Sequence, residues 1–288
     1  MWTPDGSPVR LCARYRAVRS RDLDDTLYPL NSGLAAQCRK NIGDYMVEKL
    51  GIEESKISDM CDLLYKNYGT TMAGLRASPC YLLINYDDYH SFVHGRLPYE
   101  NLKPDPVLRQ ILLSIPIRKV IFTNADKIHT VKVLRKLGLE DCFEGIICFE
   151  TLNTNEENSS EDLTEINRSN IFNIVDHFSQ SRPNTELPKT PVLCKPSESA
   201  MIRALSIAKI NPQRTIFFED SIRNIQAGKR IGLHTVLVGS SQRVKGADHA
   251  LVSIHNIRAA LPELWKEEEK SGDLLYPGKV AIETSVTA

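Results

Sequence analysis

The sequence has no charge bias: Lys plus Arg and Asp plus Glu each number 36 in 288 residues. No basic field therefore exists to hold a nucleic-acid polymer, and any phosphate chemistry must be local. Long apolar runs are also missing. The stretch around Tyr81 to Ile84 falls far short of the ~18–20 residues a membrane span needs, so no membrane association is expected. The seven cysteines form no CxxC pair and their number is odd, which argues against a finger-type zinc site and a disulfide framework. Reduced thiols in the cytoplasm or nucleus are expected. A secretory apolar stretch is absent near Met1. Arg10, Arg14, Arg16, Arg19 and Arg21 against one acid, Asp5, have the bias of an organellar transit peptide, but the most informative motif starts at Asp22, so a cleavage site would have to lie very close to it. Residues 1–21 are read as an atypical basic segment without organellar targeting.

What is present is ordinary globular composition, 42% apolar and 25% charged, which excludes a disordered or coiled-coil chain. Leu34, Cys38, Ile42, Met46 and Leu50 recur at helical spacing before Gly51, and Ile57, Cys61, Leu64, Tyr65 and Tyr68 do so before Gly69. Residues 31–100 thus read as all-helical. After Lys103 the texture changes: Asp105-Pro106 signals a helix start, and the runs Val120 to Phe122, Ile146 to Phe149, Ile216 to Phe218 and Thr235 to Val238 read as buried strands separated by helices. This alternation predicts an α/β fold with a parallel sheet covered on both faces. The expected organisation is a core of 22–30 and 101–265 with a polar surface insertion at 151–190, a helical unit at 31–100, and a tail at 266–288.

Four polar clusters fall at expected strand ends. Asp22 and Asp24 are two apart, so an extended chain points both carboxylates to one side, where one can attack and the other can donate and remove a proton. Thr123-Asn124 follows Val120-Ile121-Phe122 and precedes a helix, a place where a hydroxyl and free N–H groups bind an anion. Lys195, before Pro196 and a helix, offers a positive charge for a phosphoryl group. Glu219-Asp220-Ser221 after Ile216-Phe217-Phe218 offers hard oxygen ligands suited to Mg²⁺. Each has a bland alternative when taken alone: a helix cap for Thr123, a solvated charge for Lys195, helix-start acids for Glu219 and Asp220. Their order and joint placement at strand ends tell against it.

That order and spacing resemble the motifs of the haloacid dehalogenase (HAD) superfamily. More narrowly, Asp22-Leu23-Asp24-Asp25-Thr26-Leu27-Tyr28-Pro29, Tyr68-Gly69-Thr70-Thr71, Tyr89-His90-Ser91-Phe92-Val93-His94-Gly95 and Asp220-Ser221-Ile222-Arg223-Asn224 are similar to the pyrimidine 5′-nucleotidase-like branch of plants and fungi, which includes suppressor of disruption of TFIIS-like proteins. The resemblance implies a doubly wound Rossmann-like core with an inserted all-helical type I cap, and a hydrolase of small phosphorylated substrates, a nucleoside 5′-monophosphate foremost. It implies Asp22 as nucleophile and Asp24 as acid and base, with Thr123 and Asn124 on the phosphoryl oxygens and Lys195 orienting Asp22. Mg²⁺ would lie between Asp22, the Asp24 carbonyl and Asp220, with Glu219 behind. Thr26, Tyr68, Thr70, Thr71, His94 and Arg223 are further candidate substrate contacts. His90 and His94 have a metal-binding spacing but no evident third ligand.

Two departures stand out. Many members of this branch have Asp where Glu219 stands. The segment leading to Asp22, Tyr15-Arg16-Ala17-Val18-Arg19-Ser20-Arg21, should be an apolar central strand and is not. It predicts either a poorly formed strand near Ala17 and Val18 or an alternative first segment on a normal catalytic body. A catalytically weakened HAD-fold binding or regulatory protein is therefore the competing reading. A receiver-like phosphate-sensing module fits less well, because there the acidic pair precedes the phosphorylated Asp and no cap is inserted.

Overall fold

The computed structural model describes residues 19–78, 84–153 and 187–265. The expectations for 1–18 and 266–288, and most of that for 151–190, lie outside the described residues. Strands form where apolar runs are short and flanked by turns: β1 (Arg19–Arg21), β2 (Lys119–Phe122), β3 (Gly145–Ile147), β4 (Ile216–Glu219), β5 (His234–Val238) and β6 (His249–Leu251). They make one sheet, all parallel, in the order β3-β2-β1-β4-β5-β6. The connections run outward in both directions from the pair β1 and β4. In such a sheet, groups at the strands' carboxyl ends meet in the crevice where the order reverses.

Alternation along the strands sorts their side chains to the two faces. Ile121, Ile216, Phe218, Val236 and Val238 join one core cluster, while Val120, Phe122 and Phe217 join another with Ala200, Met201, Ala204 and Leu205 of the helix Glu198–Ile207. Helices α1 (Leu34–Glu48), α2 (Ile57–Tyr68), α3 (Thr71–Ala77) and α4 (Tyr86–Val93) bury a third cluster of their own, including Tyr45, Met46, Met60, Leu64, Leu75 and Phe92. The side-chain amide of Asn41 ties α1 to α4 by donating to the Val93 carbonyl at 2.7 Å. The fold is α/β, a doubly wound Rossmann-like core with an inserted helical cap. Cap and core meet closely at Gly69, whose φ is +91°. A Cβ there would lie 2.4 Å from the Lys195 carbonyl oxygen, so only glycine lets the end of α2 approach that loop.

Two expectations need correction. The run Ile146 to Phe149 is not strand throughout: β3 stops at Ile147, and Phe149 opens the short helix Phe149–Asn153, packed against Ala73, Val192 and Cys194. The first strand is also present, although its residues are Arg19, Ser20 and Arg21. Its register aligns position 20 with Val120 and Phe217, and position 21 with Ile121 and Phe218. None of the three is a residue that a doubly covered strand favours, yet the backbone is paired on both sides.

That placement carries a prediction. Replacing Tyr15 to Arg21 by an apolar run such as Cys-Leu-Leu-Phe directly before Asp22 sets apolar groups beside strand neighbours of 0–2% exposure, Val120, Ile121, Phe217 and Phe218. Burying each is worth about 1.5–3 kcal/mol. At about 2–4 °C per kcal/mol, the melting temperature is expected to rise by about 10 °C or more, with a gain in activity. An unchanged thermal melt would mean that the two arginines are already compensated.

Candidate active site

The ends of β1, β2 and β4 bring the acidic motifs together. The Asp22 N–H donates to the Phe218 carbonyl at 3.0 Å, which continues the ladder and fixes the first carboxylate above the sheet. The Lys195 side chain is 1% exposed, with Nζ 2.9 Å from Asp22 Oδ1 and 2.8 Å from Glu219 Oε2. Glu219 Oε1 accepts the Ser221 N–H at 3.1 Å. Beside them, Asp220 Oδ1 accepts the Thr26 hydroxyl at 3.5 Å.

Charge in this cluster is unbalanced. Burial raises the carboxyls of Asp22, Glu219 and Asp220, and their mutual repulsion adds to it, leaving Asp220 at about 6. Burial would strip the proton from Lys195, but Asp22 and Glu219 outweigh it and hold the ammonium charged. One cation thus serves three acids. Asp22, Glu219 and Asp220 each offer an oxygen, all within 4.8 Å of one another. Such a set of hard donors with excess negative charge fits a small divalent cation.

Asp24 behaves differently. Burial would raise its carboxyl as well, yet His129 and Tyr28 outweigh it and hold it down at about 2. Its Oδ1 accepts from Tyr28 Oη at 2.5 Å and from His129 Nε2 at 2.8 Å.

A cavity of about 270 Å³ opens above the cluster, lined by Asp22, Asp24, Asp25, Asp220 and Asn124 from the core and by Thr70, Thr71, His90 and His94 from the cap. His90 and His94 stack with ring centroids 5.6 Å apart, and His94 Nδ1 pairs with Asp126. A second cavity of about 270 Å³ adjoins it across Asp24, reaching Arg39, Asp62 and Tyr65.

Several expected substrate contacts are engaged within the protein. Thr26 is buried beneath the floor and bonds Asp220, as above. The Asn124 amide is spent on the Lys195 backbone, accepting its N–H at 2.8 Å and donating to its carbonyl at 3.0 Å, so it sets the loop that carries the lysine. Tyr68 turns into the cap core; Tyr65, three residues earlier on α2, lines the cavity instead. Arg223 donates to the carbonyls of Tyr65 and Lys66 at 2.8 and 2.9 Å, closing the end of α2, and stacks on the Tyr65 ring. Thr70 lines the cavity, but its hydroxyl oxygen caps α3 by accepting the Ala73 N–H. Thr123 is 1% exposed and accepts the Ala125 N–H at 3.1 Å.

Sequence reasoning missed His129, Tyr28 and Phe149. The only available signal for His129 was its place in the first turn of the helix (Lys127–Leu137) that follows Thr123-Asn124, where side chains reach back toward the strand ends.

Residues 87–232 match the family model described as haloacid dehalogenase-like hydrolase. Phosphate metabolism protein 8 of Saccharomyces cerevisiae is 27% identical over 154 residues, 50% of this chain and 44% of that protein, so the match spans less than half of that relative's length. Among solved structures, the putative HAD-hydrolase YfnB of Bacillus subtilis is 15% identical with a TM-score of 0.49, covering 85% of this chain and 98% of that one. A putative beta-phosphoglucomutase of Thermotoga maritima is 18% identical with a TM-score of 0.47, covering 86% and 99%.

Proposed function

The chain belongs to the haloacid dehalogenase-like hydrolases, and within that family we propose that it is a Mg²⁺-dependent phosphomonoesterase acting through an aspartyl-phosphate on a nucleoside 5′-monophosphate or a similar small phosphometabolite. The observation that carries the reading is the buried Lys195 bridging Asp22 and Glu219 at 2.9 and 2.8 Å, with Asp24 lining the same cavity as Asp22. The nucleotide preference rests on the resemblance of the motifs alone.

Asp22, Asp220 and the Asp24 carbonyl would hold Mg²⁺, backed by Glu219. When bound, the ion supplies charge relief for the phosphoryl oxygens. An oxygen of Asp22 attacks phosphorus, the bond to the leaving oxygen breaks, and Asp24 gives that oxygen a proton. Asp24 then takes a proton from water, whose oxygen attacks the acyl-phosphate, releasing inorganic phosphate and restoring the Asp22 carboxylate. The Thr123 hydroxyl and the Asn124 N–H bind phosphoryl oxygens, and Lys195 orients Asp22. With His129 and Tyr28 holding the Asp24 carboxyl low, its first proton would arrive with the substrate, as the monoanion of the phosphate ester.

A second reading, a catalytically weakened HAD-fold binding protein, draws on one observation, the arginine-containing first strand. A panel of phosphomonoesters assayed with Mg²⁺, with Ca²⁺ and in excess EDTA separates the two. We expect turnover with Mg²⁺, with UMP or CMP above AMP, poor turnover with Ca²⁺, and none with EDTA, since in-line attack needs the short octahedral distances of Mg²⁺. Undiminished activity in EDTA would remove the metal from the reading, and no turnover of any ester would favour the binding protein.

A further inference from the structure

Asp24 stands apart from the acidic cluster in how its carboxylate is held. Both donors that reach it, Tyr28 Oη at 2.5 Å and His129 Nε2 at 2.8 Å, converge on the same oxygen, Oδ1. Among the described residues no hydrogen bond engages Oδ2, and the side chain remains 37% exposed where it faces the cavities. His129 lies 105 residues away in sequence and is 2% exposed.

The imidazole is fixed at its other end as well. Nδ1 lies 2.8 Å from Tyr99 Oη, which donates to the His94 carbonyl at 2.9 Å. A tyrosine has one hydroxyl proton, so with it committed to that carbonyl the Tyr99 oxygen accepts from Nδ1–H; the Asp24 carboxylate can only accept, so Nε2 carries a proton too and the ring is an imidazolium that donates from both nitrogens. The backbone is pinned too, because Asp126 Oδ1 accepts the His129 N–H at 2.9 Å as the cap of its helix. Ring, hydroxyl and helix cap leave the Nε2–H one direction.

We propose that His129 is a positioning residue for hydrolysis: by clamping Oδ1 it stops the Asp24 carboxylate from rotating and turns Oδ2 toward the leaving oxygen. This rests on the reading of Asp24 as acid and base given above. In the first step the Oδ2–H bond breaks as the leaving oxygen gains its proton and loses phosphorus to Asp22; in the second a water proton returns to Oδ2. His129 keeps its own protons throughout. Misplacing a catalytic group by about 1 Å costs about 10²-fold in rate, so losing the clamp should be felt only where that proton transfer matters.

The test compares a nucleoside 5′-monophosphate, whose alkoxide leaves poorly, with 4-nitrophenyl phosphate, whose phenolate leaves without an acid. We expect His129→Phe to lose about 10²-fold in kcat on the nucleotide with KM little changed, and to stay within about threefold of wild type on the aryl ester. His129→Gln, whose amide donates from near the Nε2 position, should recover most of the loss. In an Asp24→Asn background His129→Phe should cost almost nothing more, because the two act on one step. Equal losses on both esters, or a full further loss in the Asp24→Asn background, would overturn the positioning role while leaving Asp24 its own. An Asp24→Asn variant that loses equally on both esters, or a wild-type protein that hydrolyses neither, would sink the reading of Asp24 and this inference with it. Should His129→Phe fail to fold in a thermal melt, Tyr28→Phe, which removes the other donor on Oδ1, must show the same leaving-group signature at smaller size, and its absence there and in His129→Gln overturns the proposal.

Discussion

Asp22→Asn is expected to lower turnover by at least about 10³-fold while the protein melts at or above the wild-type temperature. The amide fills the same space and its oxygen still accepts the Leu23 N–H, which lies 2.8 Å from Asp22 Oδ1. It also still accepts from Lys195, so the local geometry survives. What disappears is the negative charge. Burial and Glu219 both push the Asp22 carboxyl up, which means that the folded state holds that charge under strain in the absence of a cation. Removing it leaves two acids and one lysine where three acids shared it, and the folded state gains. An amide oxygen, however, cannot form a stable bond to phosphorus. Steady-state kinetics on the best substrate of the panel, alongside a thermal melt, give the answer. Retention of a tenth of the wild-type rate would remove Asp22 as nucleophile, and a collapse of the melting temperature would mean that its charge supports the fold.

The parts of this site that could be read from the sequence are those made by neighbours in the chain. Thr123, and Glu219 with Asp220, each sit at the end of a short run whose character marks it as a strand, Asp22 and Asp24 stand out by their two-residue spacing, and a parallel sheet gathers strand ends on one edge. The cap helices were legible from the spacing of Leu34 to Leu50 and Ile57 to Tyr68. What stayed hidden depends on contacts between distant segments. Tyr65 and Tyr68 share one helix three residues apart, and no periodicity says which of them meets the cap core and which the cavity. The Asn124 amide looked free until the Lys195 backbone, 71 residues away, took both of its polar atoms. Arg223 follows the Asp220 motif and so suggested substrate, but its partners are carbonyls at the end of a cap helix. Phe149 extended an apolar run and so suggested strand, although the chain had already turned into a helix. The arginines of the first strand are the reverse case: composition spoke against a strand that the pairing on both sides nonetheless forms.

Lys195→Met is expected to damage stability and turnover together, and the first effect can be separated from the second. The ammonium is 1% exposed, between two carboxylates, with the Phe122 and Phe217 rings 5.2 and 5.6 Å from Nζ. Methionine fits that apolar sleeve and avoids the cost of burying a charge. It leaves Glu219, 0% exposed, with no cation at 2.8 Å. Breaking one side of a buried ion pair costs about 3–5 kcal/mol, more than the better packing of a thioether returns. At about 2–4 °C per kcal/mol, the melting temperature should fall by about 6–20 °C. Adding Glu219→Gln should restore part of that loss, because it removes the fully buried unpaired carboxylate while Asp22, 13% exposed, keeps its own. Turnover should not return with it. Asp22 would still lack the charge that orients it and offsets the phosphoryl oxygens, a loss of about 10²–10³-fold by comparison with removal of one preorganised donor. Melts and kcat for the two single variants and the double variant decide the matter. If Lys195→Met melts within about 2 °C of wild type, Glu219 is already neutral and the lysine is not what stabilises the cluster; if the double variant regains both stability and turnover, Lys195 is a structural counter-ion with no part in the reaction.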